Sequence, residues 1–215
     1  MKKLILASNS PRRKELLSLF GGSFDVIPAH INEDRQPGEL PIDYVRRLAC
    51  EKASQIAEDY EGLVIGADTI VVDGEELLGK PADEADARRM LQQLRGRTHL
   101  VFTGIAIIET TTGQSFGDVC RTDVPMRSFS DEEINAYIAT GDPMDKAGAY
   151  AIQHPGFHPV ENFSGCYASV MGLPICLLSV GLHHFGLEIP ENLPERCQAL
   201  LDYSCPILEC YTEQG

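Results

Sequence analysis

Residues 63–81 read LVIGADTIVVDGEELLGKP, and the architecture turns on how this stretch is parsed. Leu63 to Val72 is apolar and β-branched, the composition of a buried strand. Asp73-Gly74 is a hairpin signal, so Glu75 to Leu78 returns as a second strand. Two residues do not suit a buried strand. Gly66 marks a bulge or a close backbone approach. Asp68 places a carboxylate inside the apolar run, which is costly without a cation, a metal or hydrogen-bond donors beside it. Carboxylates in such places are often tuned for acid–base work or for holding a metal; a structural ion pair is the other reading. With Asp73-Gly74 as the two-residue loop, Val72 pairs with Glu75 and Asp68 faces Gly79. Lys80 then falls diagonal to Asp68, within reach of a long side chain.

Outward from this hairpin, element types alternate. Strand 3–7 leads into helix 11–20, a short strand covers 24–27, and a loop spans 30–41. Helix 42–60 precedes the central strand. Asp83 caps helix 84–95, and strands 98–109 and 115–127 are joined at TTTGQ. Ser130 and Glu133 form a capping box for helix 131–140. Residues 141–172 are Gly-rich and irregular, followed by helix 173–184 and another near 192–203. Hairpins and helical crossovers together predict an α/β chain with a mixed sheet.

Two further places carry unexpected charge. SNSPRR, residues 8–13, opens the first helix with Ser10 as cap and Pro11 at its first position. Arg12, Arg13 and Lys14 then crowd a helix N-terminus, which prefers acids. A strand, a Ser-containing loop and a helix start are the parts of an anion site, and these cations suit a bound polyanion. In helix 42–60, Val45, Leu48, Ala49 and Ile56 form one apolar stripe. Lys52 lies in its middle and must either snorkel outward or meet an anion. Ser8, Arg12, Arg13, Lys52 and Lys80 around Asp68 suit a triphosphate with a divalent metal, because Mg²⁺ takes few protein carboxylates and binds largely through phosphate oxygens and water.

Composition narrows the partners. The 215 residues carry 18 Lys+Arg against 32 Asp+Glu, a formal net charge of −14, which argues against a nucleic-acid-binding face. No apolar run approaches the roughly 20 residues that span a bilayer. Leu4 to Ala7 is too short for a signal peptide's apolar region of about 7–15 residues. Seven cysteines, an odd number without a C-x-x-C pair, fit free thiols in a reducing cytoplasm.

Seven stretches, in order, resemble the Maf family of nucleoside triphosphate pyrophosphatases: LILASNSPRR at 4–13, RLACEKA at 47–53, GADTIV at 66–71, GKP at 79–81, RTHLVFTG at 97–104, DKAGAYAIQ at 145–153 and GLP at 172–174. The resemblance covers residues 1–186 and leaves 187–215 as an extension of unknown role. It implies a two-lobed α/β fold with a long mixed β-sheet flanked by helices and the active-site cleft between lobes. It implies hydrolysis of a nucleoside triphosphate to monophosphate and pyrophosphate with a divalent cation, Mg²⁺ or Mn²⁺, and a homodimer. Asp68 matches the family's general base. Arg12, Thr69 and Gln153 match positions that help set base specificity, and the set resembles the dTTP and UTP subtype. Modified pyrimidine triphosphates suit the same pocket. Glu33 matches an acid given a metal- or phosphate-adjacent role. The chain departs from the pattern at His154-Pro155, after Ile-Gln, and at Ser169, where the family usually has Asn. The alternatives are the 7-methyl-GTP subtype and a nucleotide-binding regulator of cell division without turnover. Asp68 argues against the regulator, since an acid beside a triphosphate repels it.

Overall fold

β3, Leu63–Asp73, is the spine of a six-stranded sheet. The computed structural model describes residues 2–206, so Cys210 and the end of the expected extension lie outside the described residues. The other strands are β1 (Leu4–Leu6), β2 (Phe24–Val26), β4 (Glu76–Leu78), β5 (Thr98–Glu109) and β6 (Ser115–Pro125). Their order is β2-β1-β3-β5-β6, with β4 also on β3. β1 runs parallel to β2 and β3, whereas β3, β5 and β6 form an antiparallel meander, so the sheet is mixed as expected.

Alternation along β3 sends its side chains to the two sides of the sheet, one large core on one side and two smaller clusters on the other. Leu63, Ile65, Ala67 and Val71 join the larger one. There they meet α1 (Pro11–Ser18), α3 (Glu84–Leu94), α4 (Asp131–Ile138) and α6 (Ile175–His184). Gly66, Asp68, Ile70 and Val72 face α2, Pro41–Ala57. The absence of a side chain at Gly66 is what lets α2 lie so close, because a Cβ there would collide with the Ala49 carbonyl. The close-approach reading of Gly66 therefore holds, and β3 runs through it without a bulge, in unbroken register with β5.

Both neighbours on β3's outer edge are short. β1 pairs with β3 as far as Ile65, and β4 begins to pair at Val71. Among the described residues no strand covers the edge between them. Asp68 and Thr69 stand in that gap, one on each face, at the wall of a cleft of about 730 Å³.

Three expectations need correction. The hairpin loop is Gly74-Glu75, not Asp73-Gly74: Asp73 pairs with Glu76 and Val72 with Leu77. The glycine takes φ +62° at the first loop position, a left-handed conformation it adopts without steric cost and the place where a two-residue hairpin of this kind prefers glycine. The slip is two residues, so every side chain keeps its face. The ladder also stops at Leu78, so Lys80 is not set diagonal to Asp68 by strand pairing. Instead the chain past β4 is held by the Gly148 amide, which donates to the Gly79 carbonyl at 3.0 Å. Second, residues 141–172 contain short helices: 3-10 turns at Asp142–Asp145 and Ala147–Ala149, and α5, Tyr167–Val170. Third, α6 starts at Ile175, because Leu173 precedes Pro174 and is disfavoured in a helix. The Asp83 cap and the Ser130–Glu133 capping box form as read.

Past residue 186, α7 (Leu193–Leu201) lays Leu193 into the large core. Arg196 donates to the Leu19 carbonyl at 3.1 Å, and the Tyr203 hydroxyl reaches the Gly165 carbonyl at 3.1 Å. No helix among the described residues is long and apolar enough to cross a membrane. The six described cysteines are all unpaired.

His99, at the start of β5, is 2% exposed and shares a 2.8 Å hydrogen bond with the Tyr150 hydroxyl. Burial pushes its imidazole down from 6.5 to about 4, against the opposing charge of Asp73. A base with a depressed folded pKa contributes stability that is complete above the unfolded pKa and is lost as pH falls through 6.5 toward 4. At about 1.4 kcal/mol per unit, the loss is on the order of 3 kcal/mol. His99→Gln removes the titration, so its urea midpoint should fall less between pH 7.5 and 4.5 than that of the parent. Parallel falls would show that His99 does not titrate in this way.

Candidate active site

The cleft gathers every residue singled out from the sequence: Ser8, Arg12, Arg13, Glu33, Lys52, Asp68, Thr69, Lys80 and Gln153 all line it. Their positions follow from the elements that carry them. β1 ends against Ile65, and the chain turns through Ser8 to Ser10 into α1, placing both arginines at the gap in β3. Ser10 caps α1 through a long 3.5 Å contact to the Arg13 amide. α2 delivers Lys52 from the opposite face, buried within its apolar stripe as the periodicity indicated.

Lys52 is the hub of an acid–base–acid group. Its Nζ lies 2.6 Å from Asp68 Oδ1 and 2.6 Å from Glu33 Oε1, so the two carboxylates stand within about 5 Å of each other. Lys52 thus meets anions in the cleft and does not snorkel past them. Among the described residues Asp68 Oδ2 has no hydrogen-bond partner. Burial raises the Asp68 carboxyl above its ordinary value, although Lys52 and Arg13 pull the other way. For Glu33, partial burial raises the pKa, but the Lys52 hydrogen bond and the charges of Lys52, Lys80 and Arg13 outweigh it and the net shift is downward. At neutral pH Glu33 is therefore a fixed anion, while Asp68 holds a proton more readily than an ordinary aspartate.

The loop carrying Glu33 is pinned by the first turns of α2. The Tyr44 hydroxyl donates to the Glu33 carbonyl at 2.6 Å. Arg47 grips Glu39 with two parallel bonds of 2.7 and 2.8 Å and reaches the Asp34 carbonyl at 3.1 Å. The sequence reading missed Tyr44 and Arg47; Tyr44 lies about two turns before Lys52, whereas Arg47, five residues before it, points off that face.

Arg13 is held as a rigid fork. Nε donates to the Gly172 carbonyl at 2.8 Å, Nη1 to Ser8 Oγ at 3.1 Å and Nη2 to Thr69 Oγ1 at 3.2 Å. A guanidinium has five N–H groups, so two stay available to a ligand. Ser8 Oγ also accepts from the Ser10 amide at 3.3 Å. With both lone pairs engaged, its hydrogen is left to donate, which suits a phosphate oxygen. Gly172 sits at φ +108°, and a Cβ there would stand 3.2 Å from Arg13 Nε and 3.3 Å from Thr69 Oγ1. Only glycine fits this corner, which gives a physical reason for the GLP stretch.

Arg12, Lys80 and Gln153 make no side-chain hydrogen bond among the described residues, yet all three border the cleft. Lys146 borders it too but is committed elsewhere. Its Nζ binds the Asp142 carbonyl, Asp142 Oδ1 and Asp145 Oδ1 at 2.6–2.8 Å, which uses all three ammonium hydrogens and pins the 3-10 turns. Of the two departures, His154 has a visible structural role and the Ser169 side chain does not. His154 Nδ1 accepts from the Gly156 and Phe157 amides at 3.2 and 2.9 Å, and its ring packs edge-on to Tyr137. Ser169 is fully buried, and its carbonyl, not its hydroxyl, is hydrogen-bonded.

No group of three or more His, Cys, Asp or Glu side chains among the described residues is arranged to enclose a metal. Glu33 and Asp68 nonetheless supply two hard oxygen donors on one cleft wall, which is enough for an ion that takes its other ligands from phosphate and water.

A family model described as Maf-like protein matches residues 3–185. The dTTP/UTP pyrophosphatase of Dictyoglomus thermophilum is 47% identical over 191 residues, covering 87% of this chain and 98% of that one. Proteins of the same name from Citrifermentans bemidjiense and Bacillus cereus are 51% and 46% identical, covering 80% and 88% of this chain and 90% and 93% of theirs. Among solved structures, the Staphylococcus aureus Ham1 protein aligns with 86% of this chain and all of its own at a TM-score of 0.50. At 15% identity this is a likeness of fold alone.

Proposed function

The chain belongs to the Maf-like family, and from that premise we propose that it hydrolyses dTTP and UTP to the monophosphate and pyrophosphate. The observation that carries the reading is the open edge of β3. There a buried carboxylate, with one oxygen unengaged among the described residues, shares the cleft with Arg12, Arg13 and Lys80, none of which forms an ion pair among those residues, while Lys52 is already bound to Asp68 and Glu33. In a chain of net charge −14, such a cluster needs an anionic ligand.

Asp68 Oδ2 takes the proton of a water that attacks the α-phosphorus, and its raised pKa brings it closer to the pH at which a general base works best. Ser8, Arg13, Lys52 and Lys80 hold the phosphate oxygens and offset the charge that develops on the departing pyrophosphate. Glu33 and Asp68 would hold a divalent cation, Mg²⁺ or Mn²⁺, which supplies charge neutralisation at the phosphates when bound. Arg12, Thr69 and Gln153 face the base, and the Gln153 amide can both donate and accept toward a uracil or thymine edge. The unpaired cysteines support a reducing cytoplasmic setting. A homodimer is the assembly proposed for it, and residues 187–206 serve as packing against the Maf-like domain.

The test is pyrophosphate release with Mg²⁺ from dTTP, UTP, CTP, modified pyrimidine triphosphates, ITP and 7-methyl-GTP. Turnover of dTTP and UTP, with pyrophosphate and not phosphate as product, is expected. Turnover confined to 7-methyl-GTP would keep the mechanism and overturn the base assignment. Tight nucleotide binding without turnover would favour a regulator.

A further inference from the structure

Thr103 lies on β5 directly opposite Thr69 and is completely buried, so it cannot touch a ligand in the cleft. Its Oγ1 is 2.8 Å from the Ser169 carbonyl and 3.0 Å from Thr69 Oγ1. Donor and acceptor chemistry fixes the direction of both hydrogen bonds. A carbonyl oxygen can only accept, so the Thr103 hydrogen points to Ser169. A hydroxyl has one hydrogen, so Thr103 can only accept from Thr69. The Thr69 hydrogen is therefore spent on Thr103, while Arg13 Nη2 occupies one Thr69 lone pair. What Thr69, partly buried at the cleft wall, offers a ligand is its second lone pair.

We propose that Thr103 is a positioning residue that locks Thr69 as a hydrogen-bond acceptor toward the cleft, and so selects a base that presents a ring N–H. This rests on the reading of Thr69 as a base-facing residue. Uracil and thymine carry a hydrogen on N3, whereas cytosine presents a bare, accepting N3. An acceptor at Thr69 welcomes the first two and repels the third. Ser8 is the complement at the other side of Arg13: its hydroxyl accepts twice and is left as a donor for phosphate. Two similar hydroxyls on one guanidinium thus present opposite polarity to the two ends of a nucleotide.

The experiment compares kcat/KM for UTP and CTP in the parent, Thr103→Val, Thr103→Ala, Thr103→Ser and Thr69→Val, with melting temperatures recorded for each. Thr103→Val keeps the shape but frees the Thr69 hydrogen to turn toward the cleft. The UTP-to-CTP preference should drop about tenfold, the worth of roughly one net hydrogen bond, and Thr103→Ser should restore it. Thr103→Ala makes the same comparison if the valine does not fold. If Thr69→Val changes the preference and neither Thr103→Val nor Thr103→Ala does, Thr103 is a packing residue and the proposal fails while the Thr69 reading stands. If none of the three changes it, Thr69 does not read the base and both fall.

Discussion

Asp68→Asn should abolish pyrophosphate release, lowering kcat by about 10²–10⁴, the usual contribution of a positioned general base, without weakening the fold. The stability half of this expectation follows from the direction of the pKa shift. Burial raises the folded-state pKa above the ordinary value of 3.8 despite Lys52 and Arg13. An acid with a raised folded pKa favours folding below its unfolded pKa, and that advantage is lost as pH rises through the folded value. At neutral pH the charged carboxylate is thus a net cost to the fold. A neutral isostere relieves it, and Lys52 keeps Glu33 as its partner. The melting temperature of the variant should be equal to or above that of the parent. The same shift places the acid limb of kcat/KM above the ordinary carboxylate range. Lys52→Met, which removes a charge that lowers the Asp68 pKa, should move that limb further up. An Asp68→Asn enzyme that keeps more than a tenth of parental kcat would remove Asp68 from the base role.

Why so much of this site could be read from sequence is itself physical. Asp68 and Lys52 were visible because each breaks an apolar pattern of known period, a strand in one case and a helix stripe in the other. Gly66 was visible because a glycine in a strand interior needs a reason. Lys80 was reached by a register count, and the count was wrong by two because Asp73 extends the strand and Gly74 opens the loop. Lys80 borders the cleft all the same, held there by the backbone bond between Gly148 and Gly79. That contact joins segments far apart in the chain and leaves no periodic trace. Thr103 was legible as part of a strand and of the RTHLVFTG stretch, and Ser169 as a departure from the family pattern, but neither as a partner of Thr69. Their importance lies in a hydrogen-bond direction, which depends on distances that no pattern of residue types encodes. The resemblance carried Glu33, Thr69 and Gln153, which composition and spacing alone do not distinguish from ordinary polar residues.

Arg13→Lys conserves charge, yet it should damage binding, turnover and folding together. The guanidinium fork satisfies three acceptors at once, the Gly172 carbonyl and the Ser8 and Thr69 hydroxyls, while keeping two N–H groups for a ligand. An ammonium has three hydrogens and no plane, so it cannot reach those three acceptors and still face a phosphate. The protonation state adds to the loss. Burial lowers even the Arg13 pKa, with Asp68 opposing, and a lysine starting near 10.4 is far closer to losing its charge there. For every triphosphate tested, kcat/KM should fall by about 10²–10³, as for loss of a positioned donor at a developing anion. Stability should fall by about 1–3 kcal/mol, the cost of stranding a buried polar group. The two variants therefore separate what each residue contributes: Asp68→Asn loses turnover in an intact fold, whereas Arg13→Lys loses affinity, turnover and stability in one step. A lysine enzyme within threefold of parental kcat/KM would mean that the fork organises Ser8, Thr69 and Gly172 without touching phosphate, and that Lys52 and Lys80 alone hold the substrate's charge.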